Sequence, residues 1–129
     1  MKRSQVSTEF FVFVGIASLT LALVLGGLQL DTEKITREKQ KAAAADLGRF
    51  IQSEINTAAT VNDGYTRFFT LDSKIGGFDY TINNQDNMSF VINISGSQFH
   101  YIVPPFIGNF TKGINKIDKR GGIVYVNVI

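Results

Sequence analysis

The chain has no cysteine. That one absence excludes disulfides, thiolate metal sites and cysteine nucleophiles. A small extracellular domain without them must draw stability from packing on a long helix or from an oligomer. Proline is scarce, with only Pro104 and Pro105 in 129 residues, so nothing before Pro104 forces a helix to stop. The single histidine, His100, lies between Phe99 and Tyr101. A catalytic or metal role needs partners, and none stands at a recognisable spacing. Excess charge is missing too. Basic residues number 13 against 11 acidic, and Lys2 and Arg3 account for the difference. The pI near 9.0 therefore says little about the rest of the chain. No basic patch is interleaved with aromatics, so nucleic acid is not an expected partner. No phosphate-cradling glycine loop, nucleophile elbow or paired catalytic acids stand out. Asp86, in Asn83–Asn87, lacks the glycine and distal glutamate of a calcium loop. Neither an enzyme nor a cofactor or metal site is expected.

What the chain has is apolar length. Phe10 to Leu30 contains no charged residue over 21 positions. As a helix this is about 31 Å, matching a bilayer core of about 30 Å. Ser18 and Thr20 can be carried there by bonding their hydroxyls to the helix's own carbonyls. Lys2 and Arg3 flank the N-terminal side, which the positive-inside rule places in the cytoplasm, with everything after Asp31 outside. The block is longer than the apolar region of a cleaved secretory signal, and Leu25 spoils a small-x-small site at Gly27. The segment is expected to be retained.

Beyond Leu30 the charge density rises, with Glu33 and Arg37, and Lys34 and Glu38, at i,i+4 spacing. Ala42 to Ala45 are strong helix formers. Leu47, Phe50, Ile51, Ile55, Ala58 and Ala59 then form one apolar stripe, opposite Asp46, Arg49, Gln52, Ser53 and Asn56. One helix from Ser4 to Thr60 is allowed, about 85 Å long, ending near Asn62-Asp63-Gly64. Gly26 and Gly27 are its weakest point, at about 1 kcal/mol each against alanine.

From Tyr65 the period becomes two. Strands are predicted over Tyr65–Leu71, Gly77–Asn83, Met88–Ile94, Gln98–Val103, Ile114–Ile117 and Ile123–Ile129. Turns are expected at Asn83–Asn87, Ser95–Ser97 and Lys119–Gly122, with a loop carrying Gly108 and Gly113. Phe68, Phe69, Phe78, Tyr80, Phe90, Phe99 and Tyr101 are expected to fill the core. The expected fold is α+β: a long N-terminal helix, transmembrane in its first half and amphipathic in its second, packed against a small C-terminal antiparallel sheet. The short connections suggest a meander of about four to six strands.

Gln5, Ser7 and Glu9 stand directly before the apolar block, behind the basic Lys2-Arg3. Here the chain resembles archaeal type IV pilins with a class III signal peptide, which carry a short basic leader, Gln-x-Ser-x-Glu and a hydrophobic helix. The resemblance covers about thirty residues. It departs at Phe13, where leucine is usual, and at Ser4, where glycine or alanine is usual. It implies a division into residues 1–4, a cytoplasmic leader; 5–30, a transmembrane and assembly helix; 31–61, its amphipathic continuation; and 62–129, a β-sheet head. It implies that a membrane aspartic prepilin peptidase cuts between Ser4 and Gln5. The product keeps its helix as an anchor, loses Lys2 and Arg3, and gains an α-amine on Gln5.

The implied partners are other copies of the chain, the peptidase, an assembly platform with its ATPase, and membrane lipid before assembly. The end point is an extracellular surface filament that could serve cell adhesion. In a dry bundle of helices, a lone carboxylate costs several kcal/mol unless paired. Glu9 is then expected to pair with the Gln5 amine of a neighbouring subunit and set register. Read alone, Glu9 also fits a boundary acid at the headgroups.

Other readings of the same N-terminus are a minor pilin or pseudopilin of a secretion, uptake or archaellum-related machine, and an unprocessed single-pass protein with an outer binding domain. Asn87-Met88-Ser89, Asn93-Ile94-Ser95 and Asn109-Phe110-Thr111 are N-glycosylation sequons on the expected outer side. Their bland reading is turn and strand chemistry with nothing attached.

Overall fold

The computed structural model describes the backbone of residues 2–129, with side chains throughout except at 2–6 and 29–30. One helix, α1 (Lys2–Thr60), is followed by eight strands. Contacts divide the chain into two compact units, Met1–Glu38 and Lys39–Ile129. The first is helix alone. The second holds the remainder of α1 and all the strands, and there the helix packs against the sheet. The expected α+β architecture is what the chain adopts.

Within the second unit, Ala44, Leu47, Ile51, Ile55 and Ala58 are buried. Their spacings of three and four residues put them on one helical face. Phe50 was expected on this stripe but is 39 % exposed. It sits at the stripe's margin, with its ring edge-on to Phe69 at 5.8 Å. Gly48 has a packing reason to be in a helix: a Cβ there would lie 2.3 Å from the Tyr101 ring. The hydroxyl of Tyr101 donates to the Ala44 carbonyl at 2.9 Å, fixing strand to helix. Its ring also stacks on Phe90 at 5.3 Å.

The strands form two four-stranded sheets rather than one meander. The strands are β1 (Thr66–Leu71), β2 (Lys74–Ile75), β3 (Phe78–Asp86), β4 (Ser89–Ile94), β5 (Ser97–Ile102), β6 (Phe106–Gly108), β7 (Gly113–Arg120) and β8 (Ile123–Val126). One sheet runs β2-β3-β4-β5, joined by short local turns. The other runs β1-β7-β8-β6, pairing β1 with β7 across more than forty residues of chain and placing β6 parallel to β8. Gly108 permits this parallel pair. Its φ is +118°, and a Cβ there would fall 1.8 Å from the Val126 carbonyl oxygen. Part of the segment read as a loop, Phe106–Gly108, is thus an edge strand, while residues 109–112 remain a loop.

Asn83–Asn87 is likewise not the turn. β3 continues to Asp86 with a register shift after Asn84, and the turn is Asn87-Met88. Asp86 directs it, its Oδ1 accepting from the Met88 amide at 2.7 Å and the Ser89 hydroxyl at 2.9 Å. This leaves Met88 51 % exposed, off the buried face of Phe90, Ile92 and Ile94. β8 stops at Val126 because Asn127 turns to φ +55°, a conformation asparagine tolerates.

Phe68 is the core assignment that fails outright. It is 64 % exposed while Phe69 is buried, as alternation along β1 requires once Phe69 is committed inward. The missing volume comes from Phe106 and Phe110, both buried and in mutual contact at 5.4 Å.

Polar fasteners replace disulfides. The last turn of α1 has no basic residue of its own. Lys119 of β7 supplies one, its Nζ donating to the carbonyls of Ala59 and Val61 at 2.7 and 2.8 Å. A cation is favourable where helix carbonyls lack partners. Asp63 then accepts from the Gly122 amide at 2.9 Å, tying the helix exit to the β7–β8 turn. Arg67 of β1 reaches the buried Glu54 of the helix at 3.1 Å. Asn115, fully buried, donates to the carbonyls of Thr111 and Gly113 and accepts from the Thr111 amide and Asn127 Nδ2.

Replacing Lys119 by methionine keeps the stem and removes the charged donor, with an expected loss of about 1–3 kcal/mol. Gly48→Ala forces the Tyr101 ring aside at a similar expected cost of about 1–3 kcal/mol. Thermal melts of the full chain in detergent, followed by circular dichroism, check both. A Gly48→Ala melt raised above wild type, by the helix gain of about 1 kcal/mol, would show that the Tyr101 contact is not tight.

Candidate functional site

The first unit carries the candidate site. Ser7 and Glu9 both lie on α1 and are exposed. The side chains of Ser4 and Gln5, named for processing and assembly, lie outside the described residues. Ser7 and Glu9, two residues apart, fall on different faces of the helix.

The surface following Glu9 is apolar on every side. Phe10, Phe11 and Phe13 are 64–75 % exposed, and Leu19, Leu21 and Leu23 are exposed to 60 % or more. An 18-residue window here has a mean hydropathy of 2.4 and none of it is buried by the rest of the chain. Thr20 hides its polarity by donating to the Ile16 carbonyl at 2.9 Å, as expected of a hydroxyl within the span. Thr32 does the same with Leu28 at 2.9 Å. A Cβ added at Gly15, Gly26 or Gly27 would meet nothing within 4 Å. The α1 backbone is helical through Gly26 and Gly27.

Full burial of one such side chain is worth about 1.5–3 kcal/mol. Several adjoining ones left in water form a patch that marks a membrane or protein contact. The helix is long and apolar enough to cross a membrane.

The second unit offers little chemistry. Among the described residues, no group of three or more His, Asp or Glu could hold a metal. His100 is exposed on β5, with Nδ1 3.2 Å from Gln85 Oε1. A groove of about 640 Å³ lies between α1 and the β1–β2 connection and is walled by Leu47, Phe50, Leu71, Ile75 and Phe78.

The three sequons fall in different surroundings. Asn87 is exposed in the β3–β4 turn. Asn109 is exposed just after β6, its Oδ1 accepting from Asn84 Nδ2 at 3.1 Å. Asn93 is half-buried within β4, between β3 and β5. The hydrogen bonds into Asp86 beside the first sequon lower its pKa, the Met88 amide first and the Ser89 hydroxyl second.

Comparison of the chain with family models, with curated proteins and with solved structures finds no match.

A carboxyl with a lowered folded-state pKa contributes stability that is present above the unfolded value, about 3.9, and lost as pH falls through the folded one. The Asn87-Met88 turn is therefore expected to loosen below about pH 4. Hydrogen exchange at the Met88 amide against pH checks this, with Asp86→Asn expected to flatten the acid response.

Proposed function

We propose that this chain is a structural subunit of a type IV pilus-like surface filament. The observation that carries the reading is an apolar helix surface that its own chain leaves entirely uncovered, directly behind Gln5-x-Ser7-x-Glu9. In the bilayer, lipid covers that surface. After assembly, the same surface of other copies covers it, so no water-exposed state is needed in between. Cutting between Ser4 and Gln5 removes Lys2 and Arg3, which otherwise hold the N-terminus at the cytoplasmic headgroups. It also creates an amine on Gln5. Glu9, brought into the dry bundle, pairs with the Gln5 amine of a neighbour. A buried pair of this kind selects register more than it adds net stability. The second unit is the outward-facing head, and membrane lipid, the processing peptidase and the assembly platform with its ATPase are the other partners.

N-terminal sequencing of the native protein is the direct test. A chain beginning at Gln5 supports the reading, and one beginning at Met1 would sink it. Glu9→Ala is expected to be processed and inserted normally yet to reduce sheared filament by tenfold or more. Normal filament yield from that variant removes the register role. Leu19→Arg, at the middle of the span, carries an insertion cost of about 2.5–3.5 kcal/mol. It is expected to shift protein out of the membrane fraction.

A further inference from the structure

The three sequons are equivalent by sequence, and the fold separates them. We propose that Asn87 and Asn109 carry N-linked glycans and that Asn93 does not. The inference rests on the outward placement of the head proposed above.

Transfer joins the sugar's anomeric carbon to the asparagine Nδ2. That carbon's bond to the phosphate oxygen of a polyprenyl-phosphate-linked donor breaks, the lipid phosphate leaves, and Nδ2 gives up one proton to a base on the transferase. The acceptor amide and the hydroxyl two residues on must both enter the transferase, so the local backbone must stand clear of a ladder. Asn87-Met88 is an exposed two-residue turn outside the strands, its carbonyls accepting from the Phe106 and Val103 amides and the Ser89 hydroxyl donating to Asp86 Oδ1 at 2.9 Å. Only Ser89 belongs to a strand, at the very start of β4. Asn109-Phe110-Thr111 lies wholly between β6 and β7, outside any strand. Its hydroxyl has one distant partner, Asn115 Oδ1 at 3.5 Å.

Asn93 fails on the backbone. Its backbone is paired on both sides, opposite Thr81 of β3 and Gln98 of β5. Its Oδ1 accepts from the Gly96 amide at 3.1 Å, as Asn109 Oδ1 accepts from Asn84 Nδ2 at 3.1 Å, so the strand pairing and not the side-chain bond separates the two. The Ser95 hydroxyl comes from a residue held at φ +50°. Lifting this sequon would open a central strand.

The two accepted sites are neighbours in space. The Phe106 amide donates to the Asn87 carbonyl at 2.8 Å, and Asn84 bonds both the Gly108 carbonyl and Asn109 Oδ1. Around them lie Met88, Ile102 and Ile107, which are 51, 78 and 42 % exposed. Ile102 ends β5 and Ile107 is the middle of β6, the two edge strands at this end of their sheets. Paired glycans would screen those edges, and unscreened edges are what other chains add to.

The test is glycopeptide mass spectrometry on the full chain extracted from its native cells, with protease added to intact cells as the control for outward placement. Expected are one glycan mass on the Asn87 peptide, one on the Asn109 peptide, and the bare sequence mass for Asn93. Ser89→Ala and Thr111→Ala, which keep the asparagines, should each remove one glycan. Bare mass at either Asn87 or Asn109, in a head that protease reaches on intact cells, overturns the assignment. A glycan on Asn93 overturns the selection rule. A head that protease cannot reach defeats the outward placement itself, and the inference falls with it.

Discussion

An apolar side chain left in water forgoes about 1.5–3 kcal/mol that burial would return. The helix beyond Glu9 forgoes it at Phe10, Phe11, Phe13, Leu19, Leu21 and Leu23 together, with no compensating contact from its own chain. Net folding stabilities are about 5–15 kcal/mol, so burial of this surface would matter on the scale of the whole fold. A surface of this kind suits a membrane or protein contact. Under the filament reading, lipid and sister helices supply it in turn, and an uncharged stretch from Phe10 to Leu30 suits both.

The second unit is small. It has no cysteine, and its sheets meet a helix face only five residues deep, from Ala44 to Ala58. Its order comes from side chains that reach across elements. Lys119 closes the helix end, Arg67 meets Glu54, Tyr101 fills the notch at Gly48, and Asn115 holds the loop before β7. Buried polar groups are worth little unless every partner is present. Asn115 illustrates a case that is satisfied, with both amide protons and its oxygen engaged.

The α+β class, the helix and its buried stripe were legible because they depend on local period. Leu47, Ile51 and Ile55 declare their face by spacing alone, and Asn62-Asp63-Gly64 marks where the helix stops. The sheet arrangement was not legible. Pairing β1 with β7 and β6 with β8 is a long-range choice that no local signal encodes. The Asn83–Asn87 run looked like a turn because its residues favour one, yet Asn84 is held by Gly108 and Asn109 from far along the chain. Gly48 was the overlooked clue. A glycine inside a strong helix costs about 1 kcal/mol, and the Tyr101 ring is the reason to bear it. Of the candidate residues, Ser7, Glu9 and the three asparagines could be named from sequence, whereas the difference between Asn93 and the other two needed the strand pairing.

Under the filament reading, the two asparagines and the glutamate would answer different problems. A subunit that polymerises through one surface must not associate through others. On the same reading, the first unit offers an apolar helix, and a carboxylate brought into its bundle would tolerate only the neighbour that brings an amine into reach. The second unit offers sheet edges and exposed Ile102 and Ile107, where association carries no such check on register. On that reading Glu9 would penalise wrong contacts in the bundle by leaving a charge unpaired. Glycans at Asn87 and Asn109 would penalise them at the head by bulk. Under this reading, specificity comes from the cost placed on alternatives more than from the strength of any single contact.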